Sequence, residues 1–211
     1  MIRHDFFAQL LFYQLVIRKF GEFNQIKFEI PINIHVYILS AIESSDIPWI
    51  KEVDDKVAIS HTLSSNLIIN SEMLEEYFKI TIDKNGLLHG IPELIQGYCP
   101  YLGSLNVFLL RLATEVSWND ELSCFNSIAN VLAQFYKKLP HVSDTSCKIL
   151  KKHDFEKEIS SFKENILSSI FFPAFRSYLI APSETERNSF PKNSIVSLST
   201  LEKLYKIFER C

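Results

Sequence analysis

The stretch Phe78-Lys-Ile-Thr-Ile-Asp-Lys-Asn-Gly-Leu-Leu-His-Gly-Ile91 decides the fold class. Ile80 and Ile82 alternate with polar residues, Asp83-Lys84-Asn85-Gly86 carries turn chemistry, and Leu87-Leu88-His89 resumes an extended run. Together they predict a β-hairpin. Upstream, Ile26, Phe28 and Ile30 alternate with Lys27 and Glu29, so Gln25 to Ile30 reads as a half-buried strand ended by Pro31. Ile32 to Ile42 is apolar and β-branched and fits strand or helix on local grounds.

The rest of the chain reads as helices and loops. Asp5 is expected to cap a helix from Phe6 to Phe20 that stops at Gly21. Ser44 to Trp49 reads as a loop. Asp54 to Phe78 has mostly helical apolar spacing, weakened by Ser64-Ser65-Asn66. Pro92 to Ser104 reads as a structured loop. Ser104 is expected to cap a helix with Leu105, Phe108, Leu109, Leu112 and Val116 on one stripe. Ser117 and Asp120 form a capping-box signal for the next, whose stripe is Leu122, Phe125, Ala129, Leu132 and Tyr136. Residues 138–153 read as an exposed loop. Phe155, Ile159, Phe162, Ile166 and Ile170 predict a long helix that Pro173 kinks or restarts. Ala181 to Lys192 is a loop, and Thr200 to Phe208 a short helix with Leu201, Leu204, Tyr205 and Phe208 inward. Many helices with a small antiparallel sheet make the fold class α+β.

Composition excludes several functions. The chain has 211 residues, enough for one domain or a compact two-lobed unit. Its net charge of −3 and pI near 6.1 offer no electrostatic basis for tight nucleic-acid binding by these residues alone. The five glycines, Gly21, Gly86, Gly90, Gly97 and Gly103, form neither a P-loop nor a Rossmann fingerprint. The 17 phenylalanines indicate a bulky core. The four cysteines make no C-x-x-C pair and read as reduced thiols of a cytosolic or nuclear protein. The first apolar stretch contains Gln9 and Gln14 and is too short to cross a membrane, so no membrane partner is expected.

No familiar catalytic constellation is present. His35 lies among apolar neighbours and reads as a satisfied core or edge histidine. His89 ends a strand with no carboxylate in register and reads as surface. Arg111 and Glu115 are four apart on one helix and can pair. Glu72, Glu75 and Glu76 read as a solvated helix end, and Lys148, Lys151, Lys152 and His153 as a small basic patch. Cys211 differs in being last: its thiol and the chain's own α-carboxylate sit on one terminus, a soft and a hard metal donor together. A free surface thiol is the simpler reading.

The run from Phe108 through Arg111, Glu115 and Trp118 to Cys124-Phe125 resembles the signature of the MutL homologue 1 C-terminal domain family of DNA mismatch repair. The ending Leu204-Tyr205-Lys206-Ile207-Phe208-Glu209-Arg210-Cys211 is similar to that family's terminus. The hairpin with Gly90-Ile91-Pro92, Leu11-Phe12-Tyr13-Gln14 and Ala174-Phe175-Arg176-Ser177 follow in the same order. The resemblance covers nearly the whole chain and is weakest near residues 44–70 and 138–165.

The resemblance implies a dimerisation scaffold rather than an isolated enzyme. Residues 1–211 would form a dimerisation lobe plus a smaller external lobe, near residues 45–105, and Ile32 to Ile42 would be a helix. The chain would pair with a PMS-type MutL homologue in a heterodimer, using helices near Ser169–Ile180 and the residues Leu201, Leu204, Tyr205 and Phe208. The partner carries the metal-dependent endonuclease, and its D-Q-H-A motif is absent here. Cys211 would reach the partner's metal site and supply a zinc ligand in trans. The resemblance also implies a nuclear protein, a peptide-binding surface for a repair exonuclease, and DNA contact only through the complex. The family's N-terminal ATPase has no counterpart in these residues. Met1 therefore reads as a boundary within a longer protein or the start of a truncated paralogue acting as a free-standing interaction module. Loss of the strands that precede the first helix in relatives would leave an open sheet edge. A remote alternative is a thiol or metal enzyme using Cys99 or Cys211.

Overall fold

The computed structural model describes residues 4–44, 55–139 and 152–180. The chain divides into two units, Met1–Leu179 and Ile180–Cys211, and every described element belongs to the first. The expected α+β class is observed. Helices α1 (His4–Arg18), α2 (Ile34–Ser44), α3 (Lys56–Ile69), α4 (Ser71–Phe78), α5 (Leu105–Glu115), α6 (Glu121–Tyr136), α7 (Lys152–Ile166) and α8 (Phe172–Tyr178) surround a three-stranded antiparallel sheet. The sheet order is β1 (Asn24–Asn33), β3 (Leu87–Glu93), β2 (Thr81–Ile82).

The hairpin forms where the sequence predicts it. Gly86 has φ +74°, its amide donates to the Asp83 carbonyl at 3.0 Å, and the Asp83 amide donates to Leu87 O at 3.0 Å. Asp83 Oδ1 accepts from the amides of Asn85 and Leu87, each at 2.9 Å. Its Oδ2 pairs with His89 Nε2 at 3.1 Å. His89 therefore has the carboxylate partner that strand register alone did not reveal, because the turn folds Asp83 back onto it. Gly90 sits where β1 passes closest: a Cβ there would lie 2.8 Å from the Ile26 carbonyl oxygen.

Both strand prolines depart from expectation. Pro31 does not end β1, which continues to Asn33. Between Lys27 (opposite Gly90) and Ile32 (opposite Leu88) the register breaks, and Pro31 lies in that irregularity on an edge strand, where a missing amide leaves no ladder bond unmade. Pro92 lies inside the central strand β3, opposite Gln25. It is tolerated because two-residue β2 pairs only as far as Gly90, so β3 is itself an edge by Pro92.

The ambiguous Ile32 to Ile42 segment is helical from Ile34. Asn33 Oδ1 accepts the Val36 amide at 3.2 Å, and Ile34, Ile38, Ala41 and Ile42 fall on one buried face. The Asp54 to Phe78 segment is two helices, broken at Asn70 rather than at the serine patch. Ser64 and Ser65 stay helical by donating to the carbonyls of Ser60 and His61 at 2.6 and 2.9 Å. Three predicted helix starts shift. Helix α1 begins at His4, with Asp5 in its first turn rather than capping it. The Ser104 hydroxyl donates to Tyr101 O at 3.0 Å instead of accepting an α5 amide. Asp120 is itself the cap of α6, accepting the Ser123 amide at 2.8 Å, while the Ser117 amide donates to Ser127 Oγ. Leu122, expected inward, is 71% exposed, because the buried face runs through Cys124, Ile128, Val131 and Phe135.

α1 packs along α6, and α2 packs against α3 and α5. Their shared core centres on Phe12, whose ring lies 5.7 Å from Tyr98, 5.6 Å from Tyr136 and 5.5 Å from Phe171. The Tyr136 hydroxyl donates to the Pro92 carbonyl, and the Tyr98 hydroxyl donates to the Tyr136 carbonyl at 2.8 Å. The hairpin gives the fold one acid-sensitive element. Hydrogen bonds from the Leu87 amide first, then His89 and the Asn85 amide, hold the Asp83 carboxyl below its ordinary 3.8. A depressed folded value contributes stability above the unfolded pKa and loses it as pH falls through the folded one. Stability is thus expected to drop below about pH 4 more steeply in the native chain than in Asp83→Asn. Urea midpoints measured between about pH 5 and 2.5 check this. Parallel pH curves for the two proteins would contradict it.

Candidate partner interface

The segment expected to contribute helices to a dimer, Ser169–Ile180, is built by an irregular turn. After α7 the chain makes a π-helical turn, Leu167–Phe171, and the Phe172 amide bonds back to Leu167 O. Pro173 follows at the start of α8, where a residue without an amide donor is accommodated. Phe171 and Ala174 point into the core, fully buried and 4% exposed. Phe172 and Tyr178 point outward, 41% and 43% exposed.

α8 packs on α1, and together they carry a chain of aromatic rings. Phe172 lies 6.0 Å from Phe175, Phe175 lies 6.4 Å from Phe7, and Phe7 lies 5.8 Å from Phe6. Phe6, Phe7 and Phe175 are half-buried. At the other end, Arg18 donates through Nη2 to the Tyr178 carbonyl, and Lys19 Nζ stands 5.7 Å from the Tyr178 ring centroid. Ile17, beside Arg18, is 41% exposed. Grouped exposed aromatic and aliphatic side chains of this kind mark interaction surfaces.

The other candidate residues are dispersed. Leu201, Leu204, Tyr205, Phe208 and Cys211 lie outside the described residues, as do Cys147, Lys148 and Lys151. Arg111 and Glu115 pair as expected, through Nε–Oε1 at 2.6 Å and Nη2–Oε2 at 2.8 Å, and Arg111 also donates to Gln134 on α6. This network fastens α5 to α6, so the pair is structural. His35 is satisfied, with Nδ1 2.9 Å from Ser60 Oγ and its ring stacked on His61 at 3.7 Å. Glu75 accepts from Thr81 Oγ1 at 3.3 Å. Cys124 is buried and Cys99 exposed, both unbridged.

Cys99 borders a cavity of about 330 Å³ with Tyr98, Phe162, Asn165, Ile166 and Ile170. Burial pushes its thiol pKa up, and among the described residues its thiol donates only to the Pro100 carbonyl at 3.6 Å. A protonated thiol without a base is a poor nucleophile. Among the described residues no three His, Cys, Asp or Glu side chains gather to hold a metal, and no helix is long and apolar enough to cross a membrane. Sequence reading pointed to α8 but missed Ile17 and the Arg18–Tyr178 contact, which joins residues 160 apart. Only Pro173, which forces a break beside Phe172, gave a local signal.

Fold and surface define an α+β domain whose distinctive described feature is an open aromatic face rather than a catalytic cleft. The profile of the family described as the DNA mismatch repair protein Mlh1 C-terminus matches residues 1–211. The chain is 34% identical over 211 residues to the DNA mismatch repair protein Mlh1 of Dictyostelium discoideum, covering 95% of this chain and 23% of that protein. It is 30% identical over 217 residues to Mlh1 of Saccharomyces cerevisiae and 29% identical over 204 residues to a MutL homologue 1 of Schizosaccharomyces pombe. Each match covers 95% of this chain and 26% of the relative. The chain belongs to the Mlh1 C-terminal family of MutL mismatch repair proteins. It spans about a quarter of the length of these relatives.

If Phe172 is surface, removing its ring has little effect on folding. Phe172→Ala is expected to change unfolding free energy by less than about 1 kcal/mol, against about 3–5 kcal/mol for the central Phe12→Ala. Chemical denaturation of both variants measures the difference, and equal losses would place Phe172 in the core.

Proposed function

We propose that this chain is the dimerisation scaffold of a mismatch repair complex, pairing with a PMS-type MutL homologue. The observation that carries the reading is the match to the Mlh1 C-terminal family along all 211 residues. The aromatic face of α1 and α8 supports it, because a half-exposed row of four phenylalanines lowers its free energy by leaving water against a partner. Obligate interfaces of this kind bury on the order of 2,000 Å² or more. In this reading residues 45–105 form the smaller external lobe. The helix with Leu201, Leu204, Tyr205 and Phe208 extends the interface. The chain is the non-nuclease subunit of a nuclear complex, meets DNA only through that complex and offers a repair exonuclease a peptide-binding surface.

The zinc reading fits the donor chemistry of the chain in one respect. Cys211 brings a thiolate and a terminal carboxylate together on one residue. A structural or catalytic zinc needs three or four protein ligands, and the described residues gather no such set. The remaining ligands therefore come from the partner, and Cys211 completes a site rather than forming one. When bound, the metal supplies Lewis-acid chemistry to the partner's nuclease; this chain's part is to hold one coordination position.

Two outcomes follow from this assignment. Leu204→Glu is expected to abolish co-purification with a PMS-type partner while leaving the thermal midpoint of the lone chain within about 2–4 °C. Retained pairing would remove the terminal helix from the interface. Deleting Cys211 is expected to lower both nicking activity and bound zinc of the heterodimer, read by plasmid nicking and elemental analysis. Unchanged activity and metal content would exclude Cys211 as a ligand.

A further inference from the structure

The α1/α8 face carries a charge pattern that selects its partner. Where the ends of the two helices meet, three cations stand beside the exposed Ile17 and Tyr178: Arg18, Lys19 and Arg176. Arg18 and Arg176 are exposed. None is neutralised by a carboxylate among the described residues. Arg18 bonds to the Gln14 side chain and the Tyr178 carbonyl, both uncharged, and Lys19 stands over the Tyr178 ring. The nearest anions in sequence, Asp5 and Glu22, lie at the far end of α1 and beyond the turn at Gly21. Two of the cations also complement the negative ends of their helices, which accounts for their positions but leaves their charge unmatched towards solvent.

We infer that the Ile17–Phe172–Tyr178 face docks a different polypeptide whose matching apolar patch is rimmed by carboxylates, and that the Arg18, Lys19 and Arg176 charges disfavour a second copy of this chain. This rests on the proposed pairing and states the chemistry of its partner surface. A two-fold related copy presents the same patch, so each cation cluster would meet its own image. Carboxylates on another chain meet opposite charge instead, which speeds encounter and fixes register. The apolar rings supply the attraction, and the cations supply the choice.

The test measures association of the full chain with a PMS-type subunit by stopped flow, alongside light scattering of the chain alone. Lys19→Glu/Arg176→Glu is expected to slow association about tenfold at roughly 0.05 M salt, a difference that shrinks below about threefold at 0.5 M. Lys19→Gln/Arg176→Gln should fall between, and serves if the reversed pair fails to fold. The unaltered chain should stay monomeric at tens of micromolar. An association rate unchanged by charge reversal overturns the inference while leaving the pairing intact. Self-association of the unaltered chain, weakened at low salt by neither variant, overturns the selection against a second copy. A shift in the thermal midpoint of the lone charge-reversed chain with no change in association rate would assign the face to the chain's own residues 181–211, and overturns it too. If the unaltered chain and the subunit do not associate, both the pairing and this inference fall.

Discussion

Two tyrosine hydroxyls hold the sheet to the helices. Tyr136, wholly buried on α6, donates to the carbonyl of Pro92 at the end of β3, and Tyr98 donates to the carbonyl of Tyr136. A buried carbonyl without a donor costs about 1–3 kcal/mol, so these bonds allow the irregular chain after β3 to enter the core. Burial raises both phenol pKa values well above the ordinary 10, so both groups remain neutral donors throughout the pH range in which the protein is folded. The helical layer and the hairpin are thereby joined at one point by directional bonds, and everywhere else by shape.

The outer face follows from that inner junction. Phe171 packs on Phe12 and on Tyr98, 5.3 Å from the latter ring. Adjacent helical residues point about 100° apart, so a buried Phe171 turns Phe172 outward. The π turn before Pro173 sets the phase that brings Phe175 onto Phe7. The apolar surface offered to a partner is thus the back of the aromatic cluster that stabilises the domain. A change in the core at Phe171 and a change in the face at Phe172 act on the same helix through different sides.

Much of this was legible locally. The hairpin was, because Asp83 and Gly86 specify their turn through bonds within five residues. The helices at Leu105–Glu115 and Glu121–Tyr136 were, because their apolar spacing holds over three turns and more. Pro31 and Pro92 misled, because whether a strand tolerates proline depends on which side has a neighbour, and neighbours come from elsewhere in the chain. Leu122 misled for a related reason: periodicity defines a stripe, but α1 packs against a face of α6 rotated away from it. The proposed metal and interface residues at the terminus were read from motif alone, and the described residues bear on α1 and α8 instead.

The sequence by itself determined the α+β class, the lack of a phosphate-binding glycine loop and the family, since motifs, turn chemistry and helical periodicity are properties of neighbouring residues. Only the tertiary structure decided which of the 17 phenylalanines are core and which are surface. It also brought Arg18 to Tyr178 and Asp83 to His89. The physical reason is that burial is set by packing between segments far apart in the chain. An apolar residue is inside only if another element arrives to cover it, and no local pattern records that arrival.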